Sequence, residues 1–311
     1  ILMVSLWLFL IMYLFSFFMV MSGDDWFVVW IGLEVNMMTF ILIMYRRYSM
    51  NSIESCLKYF FIQSLGSSLM ISFFFLNSFS YVIIMIMSLS VGAGPFYYWF
   101  PNVCSGIDWS SCYLLMTSQK LIPLMLMMMY ISWVYWMVVF MSIFMGAFGS
   151  FNQMNIKYLM GYSSIHQVGW IMLCMLFEEN IWLLYLFMYS VVVFSVIFSL
   201  WKVGSMLLLS LGSFDLKITF MISIMSMAGM PPLLGFFLKW IMFMYLVSIS
   251  FVLLFVMIMM SVIMFFVYMY MIYDMILYLY SYSSWFLNFL NDYYALLGLV
   301  MGLFLGLLMI L

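Results

Sequence analysis

Charge is what this sequence has least of. Only 6% of its 311 residues are Asp, Glu, Lys or Arg, against about a quarter in a soluble domain. A chain so poor in charge cannot cover its surface in water, and 70% of it is hydrophobic. Proline is scarce too, with 5 in the chain, so apolar runs of about 20 residues recur along the whole length. Such runs predict transmembrane helices rather than one buried core. A closed barrel would show short strands of alternating polarity, and none is visible. The longest polar stretch is a few residues, so any folded aqueous domain is expected on another chain.

Cysteine and histidine are nearly absent. Cys56, Cys104, Cys112 and Cys174 contain no CxxC pair, and His166 is the one histidine. A metal or iron–sulfur site is therefore not expected, and neither is a disulfide framework. The cysteines read as small apolar helix residues. A net charge of −2 gives no argument for nucleic acid. No GxGxxG or phosphate-binding loop occurs, so no nucleotide site is expected here. Residues 1–21 have no basic flank and no small-residue cleavage site, and they read as a mature helix rather than a signal peptide.

What remains is a series of apolar helices. The predicted spans are 2–21, 26–45, 53–76, one from 80, 112–130, 133–148, 156–177, 181–201, one from 214, 249–273 and 294–311. That makes an all-α integral membrane protein of about eleven helices. The charges sort by side. Loops after the even-numbered helices, with the adjoining helix starts, hold Arg46, Arg47, Lys157, Lys202 and Lys217. Loops after the odd ones carry Asp24, Asp25, Glu178 and Glu179 and no Lys or Arg. The positive-inside rule produces this asymmetry and places the amino terminus on the basic side.

Helices 4 and 9 are interrupted. One reads Gly92-Ala93-Gly94-Pro95-Phe96, the other Ala228-Gly229-Met230-Pro231-Pro232. Proline removes a backbone donor and clashes with the preceding turn. Freed backbone groups survive in a bilayer only where protein or a wet cavity satisfies them. The breaks lie five helices apart, an odd spacing, which predicts two five-helix blocks of inverted topology. Residues 1–130 form the first block and 131–273 the second, with 294–311 as a terminal packing helix. Paired broken helices in inverted repeats point to a transport unit; two ordinary proline kinks are the plainer alternative. In the last helix Gly298, Gly302 and Gly306 recur every four residues, a stripe that lets another helix approach closely.

Four charges fall inside predicted spans: Glu34, Lys58, Lys120 and Lys239. Each costs roughly 2.5–3.5 kcal/mol in mid-membrane, so an ionisable group there is a functional candidate. Desolvation disfavours a charged lysine and a carboxylate neighbour favours it, so a moving neighbour can make it release and regain a proton. A static ion pair that fixes helix packing is the other reading. His166 lies in Tyr162-Ser163-Ser164-Ile165-His166-Gln167 and is either a hydrogen-bonded packing residue or part of a water-linked relay.

Several segments resemble the NADH dehydrogenase subunit 2 family of mitochondrial respiratory complex I. Trp30-Ile31-Gly32-Leu33-Glu34-Val35-Asn36 resembles its Glu-bearing helix, and 54–63 (ESCLKYFFIQ) the helix after it. Gly94-Pro95-Phe96-Tyr97-Tyr98-Trp99-Phe100-Pro101 resembles its first broken helix. Thr117-Ser118-Gln119-Lys120-Leu121-Ile122-Pro123 resembles its Trp-Gln-Lys segment, and 162–170 its Tyr-Ser-Ser-Ile helix. The stretch 228–240 (AGMPPLLGFFLKW) resembles its strongest signature. The ordered set is far more specific than any one motif.

The resemblance implies an antiporter-like fold in the mitochondrial inner membrane, with the amino terminus on the matrix side and the carboxyl terminus facing the intermembrane space. It implies proton translocation as one subunit of an NADH:ubiquinone reductase, among other subunits of complex I. NADH, flavin, iron–sulfur clusters and ubiquinone are then expected on those subunits and no cofactor on this chain. A heavy use of methionine, 40 residues here, also fits. Two other functions stay open: a free-standing cation/proton antiporter of the same fold, and a structural assembly subunit that has lost pumping.

The sequence departs from the family at three places. The family's lysine five residues before the proline of the first broken helix is Ser90 here. Its Pro-Phe-His-Phe-Trp reads Pro95-Phe96-Tyr97-Tyr98-Trp99, and its next histidine falls on Gln167, with His166 one place earlier. Without a lysine at 90, Glu34 is expected to find Lys58 across helices 2 and 3, in competition with Glu54 four residues before Lys58. The charge sorting gives a direct test. Cysteines introduced as Arg47→Cys and Glu179→Cys should label from opposite sides of the membrane; labelling of both from one side would end the topology.

Overall fold

The computed structural model describes residues 2–46, 49–75, 80–177, 181–201, 217–231 and 233–279. Its regular elements are helices: α1 (Leu2–Ser22), α2 (Trp26–Met44), α3 (Met50–Phe75), α4 (Ser80–Val91), α5 (Trp99–Gly106), α6 (Trp109–Met116), α7 (Ser118–Met128), α8 (Trp133–Gly149), α9 (Ile156–Phe177), α10 (Ile181–Trp201), α11 (Lys217–Ala228), α12 (Leu234–Val247) and α13 (Phe251–Leu279). The expected helix over 294–311 with its glycine stripe lies outside the described residues, as do Arg47, Glu178, Glu179, Lys202 and Pro232. Trp26–Met44, Ile181–Trp201 and Phe251–Tyr273 are each long and apolar enough alone to cross a membrane.

Both interruptions are built the same way. At the end of α4, Gly92 takes φ 75°, which a side chain would disfavour. Ala93 N–H then donates to Ser88 O at 2.9 Å and Gly92 N–H to Leu89 O at 3.3 Å. At the end of α11, Gly229 takes φ 85°. Met230 N–H donates to Met225 O and Gly229 N–H to Ser226 O, each at 3.2 Å. Each pair of bonds is the Schellman closure, in which a left-handed glycine turns the chain back over the last carbonyls. The glycine stops the helix and the proline after it prevents a restart.

A third interruption was not expected. The predicted helix over 112–130 is two helices, α6 and α7, parted at Thr117 (φ −116°, ψ −81°). Two adjacent hydroxyls weaken the helix here. Thr117 Oγ1 donates to Tyr113 O at 2.8 Å and Ser118 Oγ to Leu114 O at 3.0 Å. Side chains that bond back four residues compete with the helix ladder and bend it. Pro123, inside α7 and six residues on, removes a further backbone donor.

The chain divides into two units, residues 1–145 and 146–311. In the first, α2 and α3 pack on each other, α3 on α4 and α5, and α4 on α7. An aromatic row crosses this unit. Ring centroids lie 6.1 Å apart for Tyr13–Phe40, 5.2 Å for Phe40–Tyr59, 6.0 Å for Tyr59–Trp99 and 5.5 Å for Trp99–Phe100. Such spacings suit edge-to-face contact. Arg46, after α2, forms an ion pair with Asp108, before α6, so those two loops meet at one end of the unit.

In the second unit α9 is buried along almost its whole length, with α10 and α12 against it. Asn155 caps it: its side-chain oxygen accepts Lys157 N–H at 3.1 Å. The capped Lys157, read from sequence as a loop-side charge, is buried with 2% exposure. At Gly146 a Cβ would stand 2.5 Å from His166 N and 2.7 Å from its Cα. Backbone cannot yield as a side chain can. Gly146→Ala should therefore destabilise the folded chain by roughly 1–3 kcal/mol, read as a lower midpoint of unfolding in denaturing detergent; an unchanged midpoint would contradict this packing.

Candidate functional site

Lys120 sits in the first turn of α7 with only 2% of its surface exposed. Its Nζ lies 4.7 Å from the centroid of the Phe100 ring, a cation–π distance. The break at Gly92–Pro95 carries the chain from α4 into α5 and so brings Phe100 over α7. Beside Lys120 is a cavity of about 40 Å³, room for roughly three waters. Its polar wall is Asn36, Tyr59, Gln63, Ser67, Ser90, Gln119 and Lys120.

That wall is cross-linked by hydrogen bonds. Asn36 and Gln119 exchange their amides at 3.3 Å in both directions, and Tyr59 OH donates to Gln119 Oε1 at 3.3 Å. Gln63 Nε2 donates to Ser90 O at 2.9 Å, and the Trp99 indole donates to Leu89 O at 3.0 Å. The two carbonyls at the end of α4 are thus satisfied by neutral side chains. Ser90 turns its own hydroxyl onto Met87 O at 2.8 Å.

Glu34 joins this wall through a hydroxyl. Ser67 Oγ lies 2.5 Å from Glu34 Oε1 and donates to it. The expected Glu34–Lys58 contact does not form. Lys58 Nζ lies 2.5 Å from Glu54 Oε1, and the two side chains are 44% and 66% exposed. Helical geometry gives the reason. Ser67 is nine residues beyond Lys58, about 13.5 Å along α3 and half a turn round it. Lys58 therefore faces away from Glu34, and its neighbour at i−4 takes it.

In the second unit Lys239, 5% exposed, donates from Nζ to Ala228 O at 2.8 Å. Ala228 is the last residue of α11, and its carbonyl has no partner within the helix. His166 is 1% exposed, and Trp170 Nε1 donates to its Nε2 at 3.0 Å, so that nitrogen is the acceptor, neutral form. Ser163 and Ser164 bond back to Met160 O and Gly161 O in their own helix. Tyr185 OH donates to Gln167 Oε1 at 2.7 Å. Gln167, Tyr185, Ser226, Gly235 and Leu238 border a second cavity of about 10 Å³, near the size of one water.

The structure thus gathers Lys120 with the residues around Glu34, and Lys239 with the broken end of α11. It leaves Lys58 on an exposed face. Neutral residues that a search for charge passes over make up most of the first site. A signal for them was present: Tyr59, Gln63 and Ser67 recur every four residues on α3, although Ser64, Ser68 and Ser72 form a second such series on its exposed side. Removing the hydroxyl in Ser67→Ala should shift the infrared carboxyl band of Glu34, whereas Lys58→Met should leave it in place. A larger shift in the lysine variant would restore the rejected pairing.

Comparison with known proteins places this geometry. The NADH:quinone oxidoreductase/Mrp antiporter transmembrane family matches residues 23–78 and 75–265. The chain is 34% identical to NADH-ubiquinone oxidoreductase chain 2 of Anopheles gambiae over 263 residues, 78% of this chain and 77% of the relative. It is 32% identical to the protein of the same name from Locusta migratoria over 246 residues, 73% and 72% of the two chains. Its fold matches a chain of respiratory complex I from Thermus thermophilus with a TM-score of 0.74 at 18% identity, covering 87% of this chain and 70% of that one. An archaeal membrane-bound sulfane sulfur reductase contains a chain with the same TM-score of 0.74 at 14% identity, over 96% and 72%. A membrane chain with two broken helices and a buried lysine beside each belongs, on these matches, to the NADH-ubiquinone oxidoreductase chain 2 group of the NADH:quinone oxidoreductase/Mrp antiporter family.

Proposed function

We propose that this chain is a proton-translocating membrane subunit of an NADH:ubiquinone oxidoreductase in the mitochondrial inner membrane. Its partners are the other subunits of that complex. The names of its relatives supply the complex. The observation that carries the proton role is the cavity of the first unit. Its wall runs from Ser67, which holds the Glu34 carboxylate, to the Lys120 ammonium. A few waters there would link an acid and a base inside the membrane, with amides and hydroxyls that can orient them.

Lys239 is the second proton carrier. Its ammonium donates to a free helix-end carbonyl, which supports the charged form, and withdrawal of that carbonyl would favour release. Lys58 and Glu54 stand at the surface, outside the buried route. Opening of its bond from Trp170 would free His166 Nε2 to take part. The blocks 1–130 and 131–273 are related as inverted five-helix repeats. The amino terminus faces the matrix and the carboxyl terminus the intermembrane space. NADH, flavin, iron–sulfur clusters and ubiquinone act on other subunits, so electron transfer reaches this chain as a change in its neighbours.

Lys120→Met or Lys239→Met should lower the proton-to-electron ratio of the assembled complex while electron transfer continues. An unchanged ratio in both variants would overturn the proposal. A chain that purifies alone and exchanges cations for protons would show a free-standing antiporter instead.

A further inference from the structure

The glycine that ends α11 touches the lysine that follows the break. A Cβ on Gly229 would stand 3.1 Å from both Cδ and Nζ of Lys239 and 3.3 Å from its Cε. The side chain therefore lies along the bare Cα of Gly229 on its way to Ala228 O, one residue back. A second glycine fixes the return of the chain. At Gly235 a Cβ would stand 1.8 Å from Ser226 O, so the first turn of α12 lies directly on the end of α11. Lys239 is four residues after Gly235 and shares that face of α12.

We infer that Gly229 is a positioning residue for Lys239: by lacking a Cβ it leaves the slot through which the lysine reaches the Ala228 carbonyl. This rests on the proton-carrying role proposed for Lys239. Chain reversal alone does not require the slot, because asparagine also enters the left-handed region. The ammonium is set at the negative end of the α11 dipole, where a cation is favoured. A similar placement occurs in the first unit. There Gly92 (φ 75°) would meet Phe100 Cβ at 2.9 Å and Cδ2 at 3.0 Å, and the Phe100 ring lies under Lys120. The glycine of that break bears on the aromatic seat of the lysine rather than on the lysine itself.

The test uses the assembled complex in sealed membranes, with four variants: Gly229→Ala, Gly229→Asn, Lys239→Met, and Gly229→Asn combined with Lys239→Met. Asparagine tolerates positive φ but carries the Cβ, so it separates strain from obstruction. Gly229→Asn should assemble and transfer electrons, yet show a lower proton-to-electron ratio and a pumping pH profile displaced from that of the native complex. Gly229→Ala should do the same or worse. The double variant should be no lower than Lys239→Met alone, because the glycine acts through the lysine. Pumping and pH profile at native values in Gly229→Asn would overturn the inference, as would a double variant below Lys239→Met. A full ratio in Lys239→Met would instead refute the lysine's role, and the inference with it; that result is read from the lysine variant alone.

Discussion

An ammonium group inside a bilayer has to find acceptors, and this requirement shapes both units. Hydrocarbon supplies none, and an unbroken helix spends its carbonyls on itself. Breaking a helix frees carbonyls at a chosen depth. In the second unit one of them, Ala228 O, holds Lys239 directly. In the first, the carbonyls freed at the end of α4 are taken by Gln63 and Trp99, and Lys120 rests on Phe100 beside a polar cavity. In both units the lysine beside the break is buried.

The difference in their contacts bears on how each lysine would change state under the proposed function. Lys239 depends on one short contact, so a small displacement of α12 against α11 would alter its surroundings sharply. Lys120 borders a cavity lined by amides and hydroxyls, groups that can turn to donate or to accept. Glu34 meets that wall through Ser67, a serine instead of a lysine. A hydroxyl can donate to a carboxylate and equally accept from a carboxylic acid. This partner therefore suits Glu34 in either protonation state, where a lysine would fix it as an anion.

Much of this was legible in the sequence, for reasons that can be named. The membrane class followed from how little charge there is. The breaks followed from glycine and proline set together at 92–95 and 229–232, and both proved to be glycine-closed helix ends. Lys120 and Lys239 were singled out because charge in an apolar run is costly, and both are buried. The break at Thr117 was missed because its cause is local competition by hydroxyls, which serine and threonine exert only in some settings. Glu34 and Lys58 do not pair because adjacent helices can present opposite faces; half a turn of α3 decides the partner. The wall of Asn36, Tyr59, Gln63 and Gln119 was passed over because neutral amides carry no charge signal. Lys157 was placed with the solvated loop charges because nothing local marks the depth of a helix start.

The central claim is that Lys120 and Lys239 exchange protons during turnover rather than hold a fixed charge. Isotope-edited infrared difference spectroscopy on complex carrying ¹⁵N-labelled lysine tests it most directly. The account predicts ammonium bands that convert to amine and back under electron transfer, and that vanish from the difference spectrum one at a time in Lys120→Met and Lys239→Met. Lysine bands that stay constant through turnover would contradict it.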